Sequence, residues 1–235
     1  MLIYINLLNL SAYNNKLLDD LLEAELPRYF DKIQILINSK IIKKTKKILY
    51  SKDIEIKFIK TNNIFPEVKI FENWVSNKKK FDYFFSLSGD GIFEIKDLIR
   101  NFLILKNSNF GAIIGSRTQS YQQHISSIKK IYNNSFFLYF ASRLSKKIMT
   151  IIFFIFTGKI FLDSNSGFYI FSKEKIEKKI RKNNHFYSST ELIKSLIKSG
   201  VEVIESPINF LIHGGFANKE IRIKRFIKNL IGAIK

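Results

Sequence analysis

The sequence contains no cysteine, which excludes a disulfide framework, a thiolate nucleophile and a zinc site built on thiolates. It also has only 3 prolines in 235 residues, and no low-complexity stretch that would indicate a linker between domains. We therefore expect a single domain over residues 1–235, which is long enough to enclose a sizeable hydrophobic core.

Acidic residues are scarce relative to basic ones. Lys and Arg total 39 against 20 for Asp and Glu, so the formal net charge is +19. Such a surplus attracts phosphates, nucleic acid or an anionic membrane surface, although an AT-rich coding sequence also enriches a chain in lysine. Nucleic acid is not an expected partner, because no recognised binding module is present and the aromatic residues lie in apolar runs rather than among arginines.

Long hydrophobic runs are also lacking. The most apolar region, Phe136–Leu162, carries basic residues at its centre, and its uninterrupted part, Ile148–Phe156, is far shorter than the ~20 residues that a membrane-spanning helix needs. The N-terminus has no basic segment typical of a signal peptide. We expect a cytoplasmic protein that is peripheral at the inner face of the cell membrane. The basic segments Arg143–Lys147 and Glu220–Lys235 would lie against anionic lipid.

Runs with strand periodicity alternate with runs of helical periodicity along the chain. The predicted strands are Leu2–Leu8, Lys32–Ile37, Ile54–Ile59, Tyr83–Leu87, Gly111–Ile114, Phe168–Phe171 and Val201–Ile204. The predicted helices are Asn15–Leu26, Lys40–Tyr50, Ile95–Leu105, Lys173–Arg181, Ser189–Ser199 and Glu220–Lys235. This order predicts a mainly parallel sheet with helices on both faces, and such sheets bind ligands at the carboxyl ends of their strands.

Two polar segments directly follow predicted strands. The strand Tyr83–Leu87 runs into Ser88–Gly91, where Asp90 could hold a divalent cation and, through it, a diphosphate. A Gly-Asp-Gly turn without a ligand is the alternative interpretation. The strand at Gly111–Ile114 runs into Gly-Ser-Arg, where small residues allow a ligand to approach and Arg117 offers a forked phosphate contact.

Three further segments lie in the second half of the chain. The turn Asp163–Phe168 (DSNSGF) combines an acid, small polar residues and a glycine before a strand, which is also a common polar turn. Glu191 stands at the start of a helix, where a carboxylate is most often a helix cap or dipole partner. Pro207–Lys219 contains His213 in a glycine-containing loop and ends on Lys219, and either residue alone could be structural or a surface group.

Taken in order, these segments over Phe81–Lys219 resemble the polyprenyl-phosphate branch of the family 2 glycosyltransferases, the dolichyl-phosphate mannosyltransferase type. DSNSGF is the most specific match, alongside LSGDG, GSR and PINFLIHGGFANK. The resemblance implies a GT-A fold, a Rossmann-like three-layer α/β/α arrangement. Residues 1–110 would form a degenerate nucleotide-sugar-binding half, residues 111–219 an acceptor half, and residues 220–235 a basic amphipathic helix.

The resemblance also implies an activity and its partners. The donor would be a nucleotide-diphosphate sugar, the acceptor a lipid phosphate such as a polyprenyl phosphate, or a surface glycan, and the reaction an inverting hexosyl transfer. Asp90 matches the second acid of the family's metal motif and implies Mg²⁺ or Mn²⁺. The positions that match donor or phosphate binding are Asp90, Gly91, Arg117, His213 and Lys219.

Two acids match the family's acceptor-side positions and are the candidate catalytic residues. Glu191 has a long arm, and a helix N-terminus favours its ionised form, so it is the predicted general base. Asp163 lies in a turn rich in Ser and Gly, where its carboxylate is expected to hold the loop in shape.

The chain departs from the family's pattern mainly on the donor side. Ser88 stands where the first metal acid is expected, Asn38-Ser39 replaces the acidic turn after the second strand, and Leu10–Asn15 contains no acid. In the last loop His213 stands in place of Arg, and Asn218 in place of Ser. These departures support a second hypothesis, a catalytically inactive glycosyltransferase-like binding or scaffold protein.

Overall fold

The computed structural model describes residues 1–7, 29–39, 47–49, 54–59, 64–77, 81–88, 92–117, 136–180, 185–211 and 219–234. The strands are β1 (Leu2–Leu7), β2 (Ile33–Ser39), β3 (Lys47–Leu49), β4 (Ile54–Ile59), β5 (Tyr83–Ser88), β6 (Ile92–Phe93), β7 (Ala112–Ser116), β8 (Phe168–Ser172), β9 (Val203–Pro207) and β10 (Phe210–Leu211). The helices are α1 (Pro66–Ser76), α2 (Ile95–Lys106), α3 (Phe136–Thr157), α4 (Lys173–Glu177), α5 (Ser189–Lys198) and α6 (Lys219–Ile234).

The main sheet has eight strands in the order β3-β4-β2-β1-β5-β8-β7-β9, and β6 and β10 form a separate antiparallel pair. Strand β1 runs parallel to β2 and β5, β2 runs parallel to β4, and β7 runs parallel to β9. Only β3 and β8 run against their neighbours in the described sheet. The expected mainly parallel sheet is confirmed, and its central strands are continuous apolar runs because both faces are covered.

Helices cover both faces of the sheet because successive strand residues point to opposite sides. Phe85 and its in-register neighbours face α2, whose Phe102 lies in the same buried cluster. Phe84 and Phe171 face the opposite way and pack with Phe71 of α1 and with residues of α3 and α5. The expected three-layer α/β/α arrangement is therefore confirmed.

The structure changes one predicted element and adds a helix that was not predicted. Residues Lys47–Leu49, expected within a basic helix over Lys40–Tyr50, are instead the edge strand β3, where Ile48 pairs with the buried Ile56 of β4. Sheet pairing overrides a helical pattern in a segment this short. Helix α1 was not predicted, although Pro66 at its start and the spacing of Phe71, Trp74 and Val75 are typical helix signals. The predicted helix over residues 15–26 falls outside the described residues.

The two basic amphipathic segments are both helical and adjoin each other. Among the described residues, no helix has the length and apolar character to cross a membrane. Helix α6 lies tightly against the start of α5, since a Cβ on Gly232 would stand 2.1 Å from Ser188 Oγ, and Lys194 Nζ donates to the Ala233 carbonyl at 2.9 Å. This contact positions α6 beside the DSNSGF turn and the cleft described below.

Candidate active site

The motif residues of the second half converge at one edge of the sheet. Strand β7 ends at this edge and is followed by Arg117, while β8 runs in the opposite direction and so begins there, directly after the turn Asp163–Gly167. Leu87 near the end of β5 pairs with Phe168 at the start of β8. The sheet thus brings the end of β5, the Gly-Ser-Arg segment and the DSNSGF turn to the same edge.

Arg117 and Asp163 form a two-pronged ion pair across this edge. Arg117 Nε and its backbone N–H donate to Asp163 Oδ2 at 2.6 and 3.1 Å, and Arg117 Nη2 donates to Oδ1 at 2.7 Å. The Asp163 side chain is 2% exposed and that of Arg117 is 20% exposed. Such forked, charge-assisted contacts are among the strongest in proteins and fix the orientation of both groups.

The electrostatics of this pair make Asp163 a poor base. Burial on its own would raise the pKa of the Asp163 carboxyl, but the charges of Arg117 and Lys146 and the hydrogen bonds from Arg117 outweigh it and hold that pKa well below its usual range. Both carboxylate oxygens are occupied, and a carboxylate with a lowered pKa binds a proton weakly. The geometry therefore favours a positioning role for Asp163, as expected from its turn.

Glu205 of β9 anchors the start of the same turn, a role that was not predicted from the sequence. Its Oε2 accepts the Leu162 N–H at 2.8 Å and its Oε1 accepts the Asp163 N–H at 2.6 Å. Burial raises the pKa of Glu205, and the two backbone N–H groups oppose that rise. The only signal in the sequence was an acid within a short, mostly apolar strand. Its partner at the turn could not be identified, because the sheet register that brings Glu205 to Asp163 is not visible in the sequence.

Other residues of the DSNSGF turn also hold its shape and fix its position. Gly167 has φ of 79°, in the left-handed region that favours glycine. The Tyr169 hydroxyl donates to the Ser164 carbonyl at 3.0 Å, and Thr190 Oγ1 donates to Asn165 Oδ1 at 2.9 Å. The turn is consequently fastened both to β8 and to the first turn of α5.

Glu191, the predicted general base, takes part in capping α5. Ser188 Oγ accepts the Glu191 N–H at 3.1 Å, while Glu191 Oε2 accepts the Tyr187 N–H at 2.8 Å. This reciprocal arrangement resembles a capping box, which stabilises a helix start. Glu191 does not line the cleft beside the turn, so its role as a base stays a prediction.

A cleft of about 270 Å³ lies between the DSNSGF turn, α3 and α6. Its lining is mainly polar at the turn and mixed on the two helices. The lining residues are Arg117, Ser145, Lys146, Met149, Thr150, Leu162, Asp163, Ser164, Asn165, Ser166, Gly167, Tyr169, Ser189, Arg225, Phe226 and Asn229. The cleft therefore unites residues from both ends of the predicted acceptor half with the C-terminal helix.

Two of the cleft's cations were not singled out from the sequence. Burial and the charge of Arg117 together lower the pKa of Lys146 to about 8, against the opposing effects of Asp163 and Glu205. From the sequence, Lys146 is expected in a basic segment, Arg143–Lys147, that interrupts an apolar run and lies against anionic lipid, whereas the structure places it at the cleft. Its helical position, on the face of α3 that also carries the buried Met149, is what turns it toward the cleft.

Arg225 is the second of these cations and ties α6 to α1. Its Nη2 lies 2.5 Å from Glu67 Oε1, which also accepts from Ser189 Oγ at 2.9 Å, and its guanidinium lies 5.1 Å from the centre of the Phe65 ring. The other carboxylate oxygen of Glu67 is buried and has no hydrogen-bond partner in the described part of the chain. Arg225 thus both lines the cleft and holds the helix that forms its wall.

Most of the predicted donor-side residues lie outside the described ranges. Asp90, Gly91 and His213 fall outside the described residues, and Lys219 is described only as the first residue of α6. The pairing of β6 with β10 is informative, because Ile92, which follows Gly91, pairs with Leu211, two residues before His213. The residues that flank the two predicted donor segments are therefore hydrogen-bonded neighbours.

The described residues do not by themselves fit a divalent cation. Within the described ranges, no group of three His, Asp or Glu side chains could hold a metal ion. The carboxylates nearest the cleft are engaged by N–H donors or by Arg117. The predicted Mg²⁺ or Mn²⁺ site rests on Asp90, which lies outside the described residues.

Comparison with known proteins gives a structural likeness without a sequence relative. No family model and no curated protein matches the chain. A mannosyltransferase from Pyrobaculum calidifontis, solved with GDP-Man and Mn²⁺, is similar over 99% of this chain and 63% of its own, with 11% identity and a TM-score of 0.53. A mannosyl-3-phosphoglycerate synthase from Rubrobacter xylanophilus is similar over 98% of this chain and 71% of its own, with 11% identity and a TM-score of 0.52.

A third solved structure agrees with these two. A glucosyl-3-phosphoglycerate synthase from Mycobacterium tuberculosis, in complex with phosphoglyceric acid, is similar over 99% of this chain and 79% of its own, with 9% identity and a TM-score of 0.50. The chain spans less than two thirds of the Pyrobaculum enzyme. At these identities the likeness shows the fold alone. The GT-A fold, expected from the sequence, is confirmed.

Proposed function

We propose that this chain is a glycosyltransferase that moves a sugar from a nucleotide-diphosphate donor to an acceptor that carries a phosphate. The observation that carries the proposal is the convergence of the Gly-Ser-Arg segment and the DSNSGF turn on one sheet edge, fixed by the Arg117–Asp163 pair. The fold is shared with a transferase solved with GDP-Man and Mn²⁺ and with synthases named for phosphoglycerate. Open α/β sheets place their ligand sites at this edge.

The donor belongs at the end of β5 in this proposal. Asp90 and Gly91 follow that strand, and the β6–β10 pair connects their neighbourhood to the segment that carries His213 and Lys219. Basic side chains near a leaving diphosphate would stabilise its negative charge. No step is assigned to a cation, because the described residues do not form a cation site.

The acceptor belongs in the cleft between the turn, α3 and α6. Lys146 and Arg225 line it together with the hydrogen-bonding side chains of Ser189 and Asn229. Because burial and the charge of Arg117 already lower the pKa of Lys146 to about 8, an anion bound in the cleft would raise that pKa and favour the charged lysine. The two basic side chains in the lining support a phosphate-bearing acceptor, a lipid phosphate among them, over a neutral glycan.

The nature of the acceptor decides how much base catalysis is needed. A phosphate oxygen is already ionised near neutral pH, and such an acceptor attacks the sugar without a strong base. A glycan hydroxyl must lose a proton, and Glu191 is the residue proposed to receive it. Inversion at the sugar carbon follows if either acceptor displaces the nucleotide directly.

A catalytically inactive binding protein is the second candidate. The observation in its favour is that both candidate catalytic carboxylates have structural partners: Asp163 is bound by Arg117, and Glu191 caps α5. Ser88 at the end of β5, where the resemblance expects an acid, also supports it. Such a protein would still bind a nucleotide sugar or a phosphate-bearing acceptor without transferring sugar.

A thermal-shift screen tests the proposal. Nucleoside-diphosphate sugars are added to the protein with and without Mn²⁺, and a ligand present at ~100 times its dissociation constant should stabilise the fold by about 2.7 kcal/mol. Stabilisation by one nucleotide class with its sugar, and not by the free sugar, supports the proposed donor. Absence of any shift across the nucleotide sugars, with and without Mn²⁺, would contradict it.

A further inference from the structure

The outward face of α3 is apolar from Leu144 to Ile155. Leu144, Ile148, Ile151 and Ile155 recur at the spacing of one helical face, and the last two are 58% and 68% exposed. The opposite face of α3 is used for the protein's own packing, where Phe153 is fully buried. The exposed stripe spans about 16 Å at 1.5 Å per residue.

The apolar surface continues beyond the helix and reaches the cleft. Ile160 is 64% exposed, and Leu162 is about half-exposed while also lining the cleft. Helix α6, which forms the opposite wall of the cleft, exposes Ile227, Ile231 and Ile234 at the same helical spacing. Contiguous exposed apolar surface of this kind marks an interaction site.

The charges on this surface point to an anionic partner. Helix α3 contains no acidic residue, and its exposed Lys147 lies at the edge of the stripe, as the exposed Lys159 lies just beyond its end. A second copy of this chain would bring the same lysines together, in a protein that already carries a charge of +19. Lysine is also depleted at protein–protein interfaces, and this stripe has few groups for the hydrogen bonds such interfaces contain.

We propose that the outward face of α3, together with Ile160 and Leu162, docks on the surface of an anionic lipid bilayer. The aliphatic side chains enter the boundary between headgroups and acyl chains, while the lysines extend their stems along it and place their charges among the phosphates. Leu162 belongs both to the exposed apolar surface and to the lining of the cleft, so docking places the mouth of the cleft next to the bilayer. The use of the cleft for a lipid phosphate rests on the proposed function, but the docking itself does not.

Sedimentation with lipid vesicles tests the docking without any donor or transfer reaction. The full chain is mixed with neutral phosphatidylcholine vesicles and with vesicles containing about one third phosphatidylglycerol, at low and high salt. Ile155→Glu is compared with Ile104→Glu, which introduces the same single charge at an exposed isoleucine of α2 on the other face of the sheet. Thermal unfolding of each variant shows whether it is folded.

The expected result is binding to the anionic vesicles that weakens with salt, falls about tenfold or more in the α3 variant and is unchanged in the α2 control. A second variant, Ile155→Trp, should place an indole in the bilayer, so that brominated lipid quenches its fluorescence. Equal vesicle binding by the α3 variant and the control would overturn the proposal. So would a lack of vesicle binding, or loss of a dimer in the α3 variant by light scattering.

Discussion

The two ends of the same sheet edge differ in the charged groups that they carry. Strands β1, β2 and β4 end in uncharged residues, the last of them Leu7, Ser39 and Ile59. At β7, β8 and β9, by contrast, Arg117, Asp163 and Glu205 form one connected network around the turn. Among the described residues, ionic side chains therefore organise the β7–β9 part of this edge, which is the acceptor side in the proposed function. The proposed donor side rests instead on Asp90 and on the segment that carries His213 and Lys219.

The largest expected effect is the loss of the ion pair that organises the acceptor side. Asp163→Asn leaves a largely buried Arg117 without its charged partner, and breaking such a pair costs about 3 kcal/mol of unfolding free energy. Chemical denaturation measures this loss, with Asp82→Asn as a control because Asp82 is exposed. A loss below about 1 kcal/mol would place this pair with ordinary surface salt bridges.

The second prediction separates the two possible roles of Glu191. Gln can still accept the Tyr187 N–H and keep the helix cap, so Glu191→Gln should preserve stability and donor binding but lower turnover about 10²-fold on a hydroxyl acceptor. Glu191→Ala removes the cap as well and should also destabilise the fold by about 1 kcal/mol. Unchanged turnover of Glu191→Gln would assign the residue to capping alone, or to an acceptor phosphate that needs no base.

The third prediction concerns acid stability. The pKa of Asp163 is held below its ordinary value of 3.8, so its contribution to stability is present above that pH and is lost as the pH falls toward the folded-state pKa. Between about pH 5 and pH 2 the wild-type protein should lose about 2 kcal/mol more than Asp163→Asn does. Parallel pH profiles for the two proteins would show that Asp163 has no lowered pKa.

The smallest expected effect is on the donor side, where one acid is missing. If Asp90 holds a cation, Asp90→Asn should abolish the Mn²⁺-dependent part of donor affinity. Ser88→Asp should strengthen that affinity about tenfold by supplying the second carboxylate. Calorimetric titration with and without Mn²⁺ measures both changes. No response to Mn²⁺ in either variant would favour a donor side that has lost its metal.

The fold was largely predictable from periodicity, because the central strands are continuous apolar runs and most of the helices follow a helical spacing of apolar residues. Helix α1 and strand β3 were missed or misassigned because a short segment's pairing partner is not visible in its own sequence. At the site, the sequence DSNSGF indicated the turn before β8, and the Gly-Ser-Arg segment indicated that a polar side chain follows β7. Glu205, Lys146 and Arg225 could not be predicted, since sheet register and helix packing bring them to the cleft from distant positions.

A direct assay of sugar transfer tests the central claim. The protein is incubated with the nucleotide sugar that stabilises it and with a short polyprenyl phosphate in detergent, and mass spectrometry of the lipid is compared between wild type and Lys146→Met with Arg225→Met. The proposed function predicts a lipid heavier by one sugar residue in the wild type, and at least tenfold less in the double variant, whose cleft has lost two cations. A stable donor complex that yields no product, in the wild type and in Ser88→Asp alike, would contradict the enzyme and leave a binding protein.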